Sequence, residues 1–189
     1  MNLFENLCML KENEEINEFE PEVVEQEISS AATSINSSKL PAIFKLIQFQ
    51  KGQVNLDVGG GRFDNVAEEL AKIGAINLVW DPYNRSAEHN NEVLQKIKEN
   101  GGADSTTCSN VLNVIKEQEA RLGVIKNCYK FAKSGANCYF TVYEGKLDGA
   151  PGLTKAGYQM NQKTKYYVDE IKQVFGNVTI KGKLITAMK

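Results

Sequence analysis

The residues best suited to bind a ligand lie in one glycine-rich segment, residues 57–64, which reads Asp-Val-Gly-Gly-Gly-Arg-Phe-Asp. Glycines in such a segment let the backbone take positive φ angles and approach a ligand with no Cβ in the way. A helix that follows the glycines presents free N–H groups and the positive end of its dipole. The segment therefore predicts a ligand-binding loop between a strand and a helix.

The spacing of the glycines excludes two nucleotide-binding patterns. The dinucleotide fingerprint G-x-G-x-x-G fails because its third glycine falls on Asp64. The phosphate-binding sequence G-x-x-x-x-G-K-(S/T) does not occur in the chain. What remains is an acidic residue, Asp57, followed by Gly59 and Gly61, and a second acidic residue, Asp81, 24 positions after the first.

Three further polar residues are candidates for catalysis. Asn110 follows the third predicted strand, where its amide could orient a substrate or simply cap a loop. Glu144 ends the fourth predicted strand, at the carboxyl edge where open α/β sheets bind ligands, and its carboxylate could take a proton or anchor the loop. We interpret His89, the one histidine of the chain, as a packing residue rather than a general base.

Hydrophobic patterns place these residues on strands that alternate with helices. The predicted strands are 54–58, 76–80, 105–111 and 136–143, and the predicted helices are 40–49, 64–73, 86–100, 115–133 and 163–175. Two short runs at 178–181 and 183–188 predict an antiparallel hairpin. Because strands alternate with helices, we predict an α/β fold with right-handed βαβ units and a mostly parallel sheet.

The N-terminal part differs from this pattern in composition. Residues 1–28 contain nine glutamates and one lysine, a net charge of −8, with apolar residues at helical spacing. We therefore divide the chain into an acidic helical leader with a Ser-rich loop, residues 1–38, and a ligand-binding domain, residues 39–189. Residues 33–38 are a candidate lid over the ligand.

The C-terminal third carries the opposite charge. From residue 151 onward seven lysines face two acidic residues, a net charge of +5. Lys163 and Lys165 lie beside the aromatic pair Tyr166 and Tyr167, and such a mixture could neutralise phosphates and stack on bases. It could equally form a solvated helix face, so nucleic acid is one partner that the sequence allows.

The composition excludes several other classes of protein. No apolar run approaches the ~20 residues that span a bilayer, so we expect no membrane span. The first residues lack the basic start of a secretory signal, which predicts a cytoplasmic location. Four cysteines without a C-x-x-C pair, together with a single histidine, predict neither a metal site nor a disulfide framework.

The set Asp57, Gly59, Gly61 and Asp81 resembles the class I S-adenosylmethionine-dependent methyltransferases, whose first motif has the form (D/E)-x-G-x-G. The resemblance covers about residues 52–189 and implies a Rossmann-like fold with S-adenosylmethionine as the cofactor. It implies that the glycine loop approaches the methionine and sugar portions and that Asp81 binds both ribose hydroxyls. The residues that it assigns to the cofactor are Asp57, Gly59, Gly60, Gly61, Asp81, Pro82, Tyr83 and Asn110.

Four segments bring the chain closer to the small orphan methyltransferase-like proteins of phages and prophages. They are residues 57–64, 81–85, 109–115 and 142–145. This resemblance implies the fold and the cofactor, and a location in the host cytoplasm if the protein is encoded by a phage. It leaves the methyl acceptor open, with a nucleic acid or a protein of the phage or its host among the candidates.

One departure from the family concerns the sheet. Asp81 and Ala103 are 22 positions apart, which leaves room for a single helix, so we expect the sheet to lack one edge strand. A degenerate member that binds the cofactor, a nucleotide or a partner protein without catalysis is therefore the alternative to an active enzyme. The lack of a Ser/His/Asp or Cys/His set does not exclude an enzyme, because methyl transfer needs little beyond alignment of the reacting atoms.

Overall fold

The computed structural model describes residues 19–33, 39–146 and 150–189 of the chain. The predicted leader helix falls largely on residues 1–18, which lie outside the described residues. The candidate lid lies outside them too, except for Thr33. The boundary at residue 38 between leader and domain stays a prediction.

The described residues form eight strands, which are β1 (Val54–Val58), β2 (Ile76–Trp80), β3 (Ala103–Ser109), β4 (Ala132–Thr141), β5 (Gly152–Thr154), β6 (Gly157–Gln159), β7 (Asn177–Lys181) and β8 (Leu184–Met188). Six of them make one sheet in the order β2-β1-β3-β4-β8-β7, and β5 and β6 make a separate hairpin. Strands β1 to β4 pair in parallel, whereas β8 is antiparallel to β4 and β7. The fold is the predicted α/β Rossmann-like fold with a C-terminal antiparallel hairpin.

The described residues also form five α-helices, which are α1 (Ile43–Leu46), α2 (Asn65–Ala71), α3 (Ala87–Glu99), α4 (Gln118–Phe131) and α5 (Val168–Lys172). A large apolar cluster joins α3, α4 and α5 to the sheet through residues such as Leu56, Ile97 and Ile125. A smaller cluster contains Ile43 of α1 and Val66 of α2. The sheet is therefore covered by helices on both faces, as expected for a parallel sheet. No helix among the described residues is long and apolar enough to cross a membrane.

Parallel pairing brings the carboxyl ends of β1, β2 and β3 to one edge of the sheet. Asp57 is the penultimate residue of β1, Asp81 directly follows β2, and Asn110 directly follows β3. Helix α3 starts soon after Asp81 because the Ser86 side chain caps it by accepting a hydrogen bond from His89 N at 3.1 Å. The polar residues singled out in the sequence thus lie together because of the strand register.

Strand β2 lies at the edge of the described sheet, since α3 is the only element between β2 and β3. This confirms the expectation that the sheet lacks one edge strand. Trp80 O accepts a hydrogen bond from Gly59 N on the β1 side, at 2.8 Å, and the outward-facing Val79 O lies 2.9 Å from His89 Nε2. Because a carbonyl oxygen can only accept, Nε2 is the donor. His89 therefore covers part of the open edge, which is a packing role.

The leader helix is wrong over residues 19–28, which run across α4 without helical structure. The main chain of Glu22 is paired with the side chain of Asn127 through two hydrogen bonds, Glu22 N to Oδ1 at 2.8 Å and Nδ2 to Glu22 O at 2.7 Å. A helix would have used those main-chain groups internally. Tertiary contact with α4 therefore decides the conformation of this segment.

Three other segments also differ from the sequence-based expectation. Of the predicted helix 40–49 only α1 forms, and the residues after it pack against the smaller cluster as extended chain. The predicted helix 163–175 begins as a 3₁₀ turn at Thr164–Tyr167 and continues as α5. The segment 144–157, predicted as a loop, contributes β5 and the start of β6. Gln159 holds this hairpin in place, since its Oε1 accepts from Asn113 Nδ2 at 3.1 Å.

Candidate ligand-binding site

A cavity opens at the edge where β1, β2 and β3 end. Its walls come from four segments: the glycine loop after β1, the turn after β2, the turn after β3, and residues 19–33, here called the strap. The sequence-predicted residues that line it are Asp57, Gly59, Gly60, Gly61, Asp81, Pro82, Tyr83 and Asn110. All eight residues predicted to bind the cofactor are therefore brought to one cavity.

The glycine loop is tight at each of its first two glycines. Gly59 has a φ of 74°, and a Cβ built on it would lie 2.7 Å from Val111 Cγ2. A Cβ on Gly60 would collide with the carboxylate of Asp57. Because other residues would strain the loop at these positions, glycine is what lets it lie between β1 and the turn after β3.

Asp81 and Arg85 hold the glycine loop from the side of β2. The Asp81 Oδ2 atom accepts a hydrogen bond from Gly61 N at 2.9 Å, and Arg85 Nε donates to Gly61 O at 2.8 Å. Asp81 Oδ1 accepts from the main-chain N atoms of Tyr83 and Asn84, both at 2.9 Å. A carboxylate has about four lone-pair sites, so Oδ2 retains one for a ligand.

The main chain of Asp81 is fixed as firmly as its side chain. Asn90 on α3 accepts from Asp81 N and donates to Asp81 O, each at 3.0 Å. The sequence analysis missed Asn90, although a buried asparagine on the inward face of a helix is a signal for such a contact. The acidic residue after β2 is therefore a preorganised group.

Asp57 is 2% exposed and is held by a network of polar side chains. Its Oδ1 accepts from Thr107 Oγ1 at 2.8 Å, and that hydroxyl accepts in turn from Asn55 Nδ2 at 2.9 Å. Burial raises the pKa of Asp57 to about 7, an effect that the Thr107 hydrogen bond opposes and the neighbouring Asp81 carboxylate strengthens. Two carboxyl groups thus act on each other at this cavity.

The charge of the cavity is one-sided. The described residues that line it include the acidic Glu22, Asp57 and Asp81, and they include no lysine, arginine or histidine. A negative potential with no basic side chain favours cationic ligand groups over phosphates. This charge distribution was not evident in the sequence, because Arg62 and Arg85 lie close to the glycine loop along the chain but do not line the cavity.

Asn110 occupies the position that the sequence predicted. It has a left-handed backbone, with a φ of 58°, and its N–H donates to Thr141 O at 2.9 Å. Asparagine tolerates this conformation better than most residues. The backbone strain of Asn110 therefore coincides with a cavity-lining position, which is where strained residues often have a function.

Glu144, in contrast, does not line the cavity. Its Oε1 accepts from Thr164 N at 2.9 Å and from Thr164 Oγ1 at 3.0 Å, and its Oε2 lies 2.9 Å from Lys183 Nζ. These contacts, led by the Thr164 main-chain hydrogen bond, lower the pKa of Glu144 to about 2. The geometry favours the loop-anchoring interpretation of this residue over the general base.

The basic cluster of the C-terminal third lies on a second cleft. Lys163, Lys165 and Tyr166 line it together with several amide side chains and Asp169. Tyr167 is fully buried, with its ring centroid 5.3 Å from that of Tyr166, so only Tyr166 can offer a ring face to a ligand. The predicted aromatic pair is thus one exposed ring supported by one core residue.

No group of three or more potential metal ligands occurs among the described residues. Cys108, Cys128 and Cys138 are buried free thiols. Burial raises the pKa of Cys138 to about 12, and that of Cys128 is raised as well. These thiols belong to the apolar core, and they face neither cleft.

Comparison with known proteins identifies the fold. No protein-family model matches the sequence, and no curated protein matches it. The solved structure of PigF with SAH is similar, with a TM-score of 0.55, 16% sequence identity and coverage of 79% of this chain and 54% of that chain. At this identity the likeness shows a shared fold alone, and the chain spans about half the length of PigF.

Two further solved structures are similar at lower scores. A SAM-dependent methyltransferase from Aquifex aeolicus has a TM-score of 0.48 and 16% identity, with 78% of this chain and 87% of that chain covered. Magnesium protoporphyrin IX methyltransferase from Synechocystis PCC 6803, solved with SAM, has a TM-score of 0.44 and 16% identity, with 74% and 71% covered.

Proposed function

We propose that the protein binds S-adenosylmethionine in the cavity beside the glycine loop and transfers its methyl group to an acceptor. The observation that carries this proposal is the pair of carboxyl groups, Asp57 and Asp81, at a glycine loop whose cavity has no basic residue among the described ones. S-adenosylmethionine has no phosphate and carries two cationic groups, a sulfonium and an ammonium. ATP or a dinucleotide would bring phosphates against these carboxylates with no basic side chain to offset the repulsion.

The cavity offers a role for each end of such a ligand. We assign a ribose hydroxyl to the open lone pair of Asp81 Oδ2, since the other positions of that carboxylate are used by main-chain donors. We assign the cationic end to the side of Asp57, whose burial makes a positive charge nearby favourable. PigF, which is similar in fold, was solved with SAH, which agrees with this assignment.

The bound cofactor would supply a methyl group on a sulfonium, which is already a good leaving group. The protein then has to hold the acceptor in line and to exclude water. Asn110 is our candidate for orienting an acceptor or the amino group of the cofactor, because it lines the cavity in a strained backbone conformation. We assign Glu144 to anchoring the loop before α5.

For the acceptor we favour a polyanion, either DNA or RNA. Lys163 and Lys165 have no ion-pair partner in the described part of the chain, and they share a cleft with the exposed Tyr166 ring. Two free cations next to an aromatic face suit a phosphate backbone with an unstacked base. A phage-type origin and action in the cytoplasm remain proposals that rest on the sequence segments alone.

The experiment that tests activity uses S-adenosylmethionine labelled in the methyl group. The full-length protein is incubated with DNA, RNA and mixed host protein in separate reactions, and the label in each macromolecular fraction is measured. We expect label in one fraction that depends on Asp81. Binding of the cofactor without label in any fraction would contradict methyl transfer.

That last outcome would favour a second function, a module that binds the cofactor without catalysis. The observation in its favour is that neither Glu144 nor His89 faces the cavity, because each is held by other contacts. Methyl acceptors that need a general base would find none of these two groups available. The labelled-methyl experiment separates the two functions directly.

A further inference from the structure

The strap is held against α4 by contacts along its length. Besides the two hydrogen bonds between Asn127 and the main chain of Glu22, Lys130 Nζ donates to Glu20 O at 2.8 Å. The Glu22 carboxylate lies 3.2 Å from Lys126 Nζ. The ring of Phe19 packs on Phe131, with centroids 6.2 Å apart. The strap is therefore a fixed part of the folded domain.

The strap also reaches the turn after β2. Val24 O lies 3.5 Å from the hydroxyl of Tyr83, and a Cβ on Gly123 would meet the Val24 side chain at 3.3 Å. Gly123 thus gives the strap room to pass over α4. In this position the strap closes the cavity between α4 and the turn that carries Asp81, next to the edge where the sheet lacks a strand.

One atom of the strap has no partner. The amide oxygen of Gln26, Oε1, is buried without a hydrogen bond, and Gln26 lines the cavity. Four other buried side-chain atoms of the described residues also lack a partner, but none of their residues lines the cavity. A buried acceptor without a donor is unfavourable, and in a ligand site it indicates a donor that the ligand brings.

The surroundings of Gln26 indicate the shape of that ligand group. Apolar side chains from four segments line the same cavity, namely Val24, Trp80, Ile115, Ala120 and Val124. Apolar walls with a single hydrogen-bond acceptor suit a flat heterocycle that carries an amino group. A free ammonium group fits less well here, because its favourable partners are the carboxylates across the cavity.

We infer that the strap forms the base-binding wall of the site and that Gln26 accepts a hydrogen bond from the exocyclic amino group of the ligand's adenine. This inference rests on the proposed function, since it places the adenosine of S-adenosylmethionine in the cavity. It gives the segment before the sheet a direct role in ligand specificity. It also replaces the wall that a further strand beside β2 would have supplied.

The test compares two ligands by calorimetry with the full-length protein. One is S-adenosylhomocysteine, and the other is its inosine analogue, in which a carbonyl replaces the exocyclic amino group. We expect the wild type to bind the adenine ligand about tenfold more tightly, as for the loss of one buried hydrogen bond. The variant Gln26→Leu should bind both ligands with similar affinity, and Gln26→Glu, which keeps an acceptor, should retain the preference.

The matched control is Glu25→Leu, a change at the neighbouring strap residue, which is exposed and does not line the cavity. It should discriminate as the wild type does. Equal affinity of the wild type for the two ligands, or an unchanged preference in Gln26→Leu, would overturn the inference while leaving the proposed function intact. Absence of any binding to the folded wild type would overturn both. The wild-type comparison needs no variant, so it decides the matter even if Gln26→Leu fails to fold.

Discussion

The Gly61 N–H donates a hydrogen bond of 2.9 Å to Asp81 Oδ2, so the acidic residue after β2 fixes the glycine loop after β1. Arg85 secures the other side of the same residue through Gly61 O, at 2.8 Å. The two ligand-binding features predicted from the sequence are therefore one mechanical unit. A change at Asp81 alters the loop as well as any contact with a ribose.

The first prediction concerns Asp81. We expect Asp81→Asn to weaken the binding of S-adenosylhomocysteine by about 1.5–3 kcal/mol, the range for hydrogen bonds to a charged group. Asparagine keeps one acceptor for the turn after β2, so it disturbs the main chain less than alanine would. Calorimetry with a 2′,3′-dideoxy analogue separates the ribose contact from the loop. If the variant still distinguished the two ligands as the wild type does, Asp81 would not bind the ribose.

The second prediction concerns the glycine loop. Gly59→Ala should abolish the binding of S-adenosylhomocysteine, because the new Cβ meets Val111 and the backbone has a positive φ. Gly52→Ala is the matched control, since Gly52 has a φ of 81° and no atom within 4 Å of a built Cβ. Both variants should lose roughly 1–2 kcal/mol of stability from the positive φ, as measured by urea unfolding. Equal ligand affinity in the two variants would show that the loop is not the site.

The third prediction concerns the pH dependence of stability. Folding raises the pKa of Asp57 from 3.8 to about 7, so this group disfavours the folded state as the pH rises through that interval. The wild type should lose stability relative to Asp57→Asn between about pH 4 and pH 7, by an amount of the order of a few kcal/mol. Above about pH 8 the difference should be constant. Urea unfolding of both proteins at several pH values measures it, and parallel pH profiles would contradict the burial of an ionisable group at this position.

The fourth prediction concerns nucleic acid. If DNA or RNA is the acceptor, replacing Lys163 and Lys165 by glutamine should reduce the salt dependence of binding by one to two contacts, each with a log–log slope of about 0.7–0.9. The matched control replaces Lys96 and Lys98, two exposed lysines at the same spacing on α3. Filter binding across a salt series provides the slopes. Identical slopes in all three proteins would place the nucleic acid elsewhere, and salt-independent binding would exclude this kind of acceptor.

The charge of the leader can be tested in the same experiment. Deleting residues 1–18 removes five glutamates and one lysine but keeps the strap. A longer deletion through residue 28 would also remove Phe19 and Ile28, which pack against the large apolar cluster. The shorter deletion should raise the affinity for nucleic acid, because it removes net negative charge.

Local sequence signals were enough to predict the central strands and the residues at their carboxyl ends. Strand β1 is a short buried run ended by glycines, and Asp81 follows a second such run, so strand pairing alone brings Asp57 and Asp81 together. The missing edge strand was predictable because the interval before Ala103 holds only one helix. These features depend on period, chain length and turn residues, which are all local.

The strap was not predictable in this way. Its apolar residues have helical spacing, but its main-chain groups are satisfied by Asn127 and Lys130, which lie more than 100 positions away along the chain. The burial of Tyr167 beside the exposed Tyr166 likewise depends on how the 3₁₀ turn meets the core. Glu144 has the right place along its strand, but its loop turns the carboxylate towards Thr164. In each case a tertiary contact outweighs the local pattern.

The most direct test of the proposed site is a calorimetric titration of the full-length wild type with S-adenosylhomocysteine, and with ATP under the same conditions. We expect saturable binding of one S-adenosylhomocysteine per chain and no detectable binding of ATP, because the carboxyl groups of Asp57 and Asp81 repel phosphates in a cavity that has no basic residue among those described. Binding of ATP with equal or higher affinity, or no binding of S-adenosylhomocysteine to the folded protein, would contradict the assignment of this cavity.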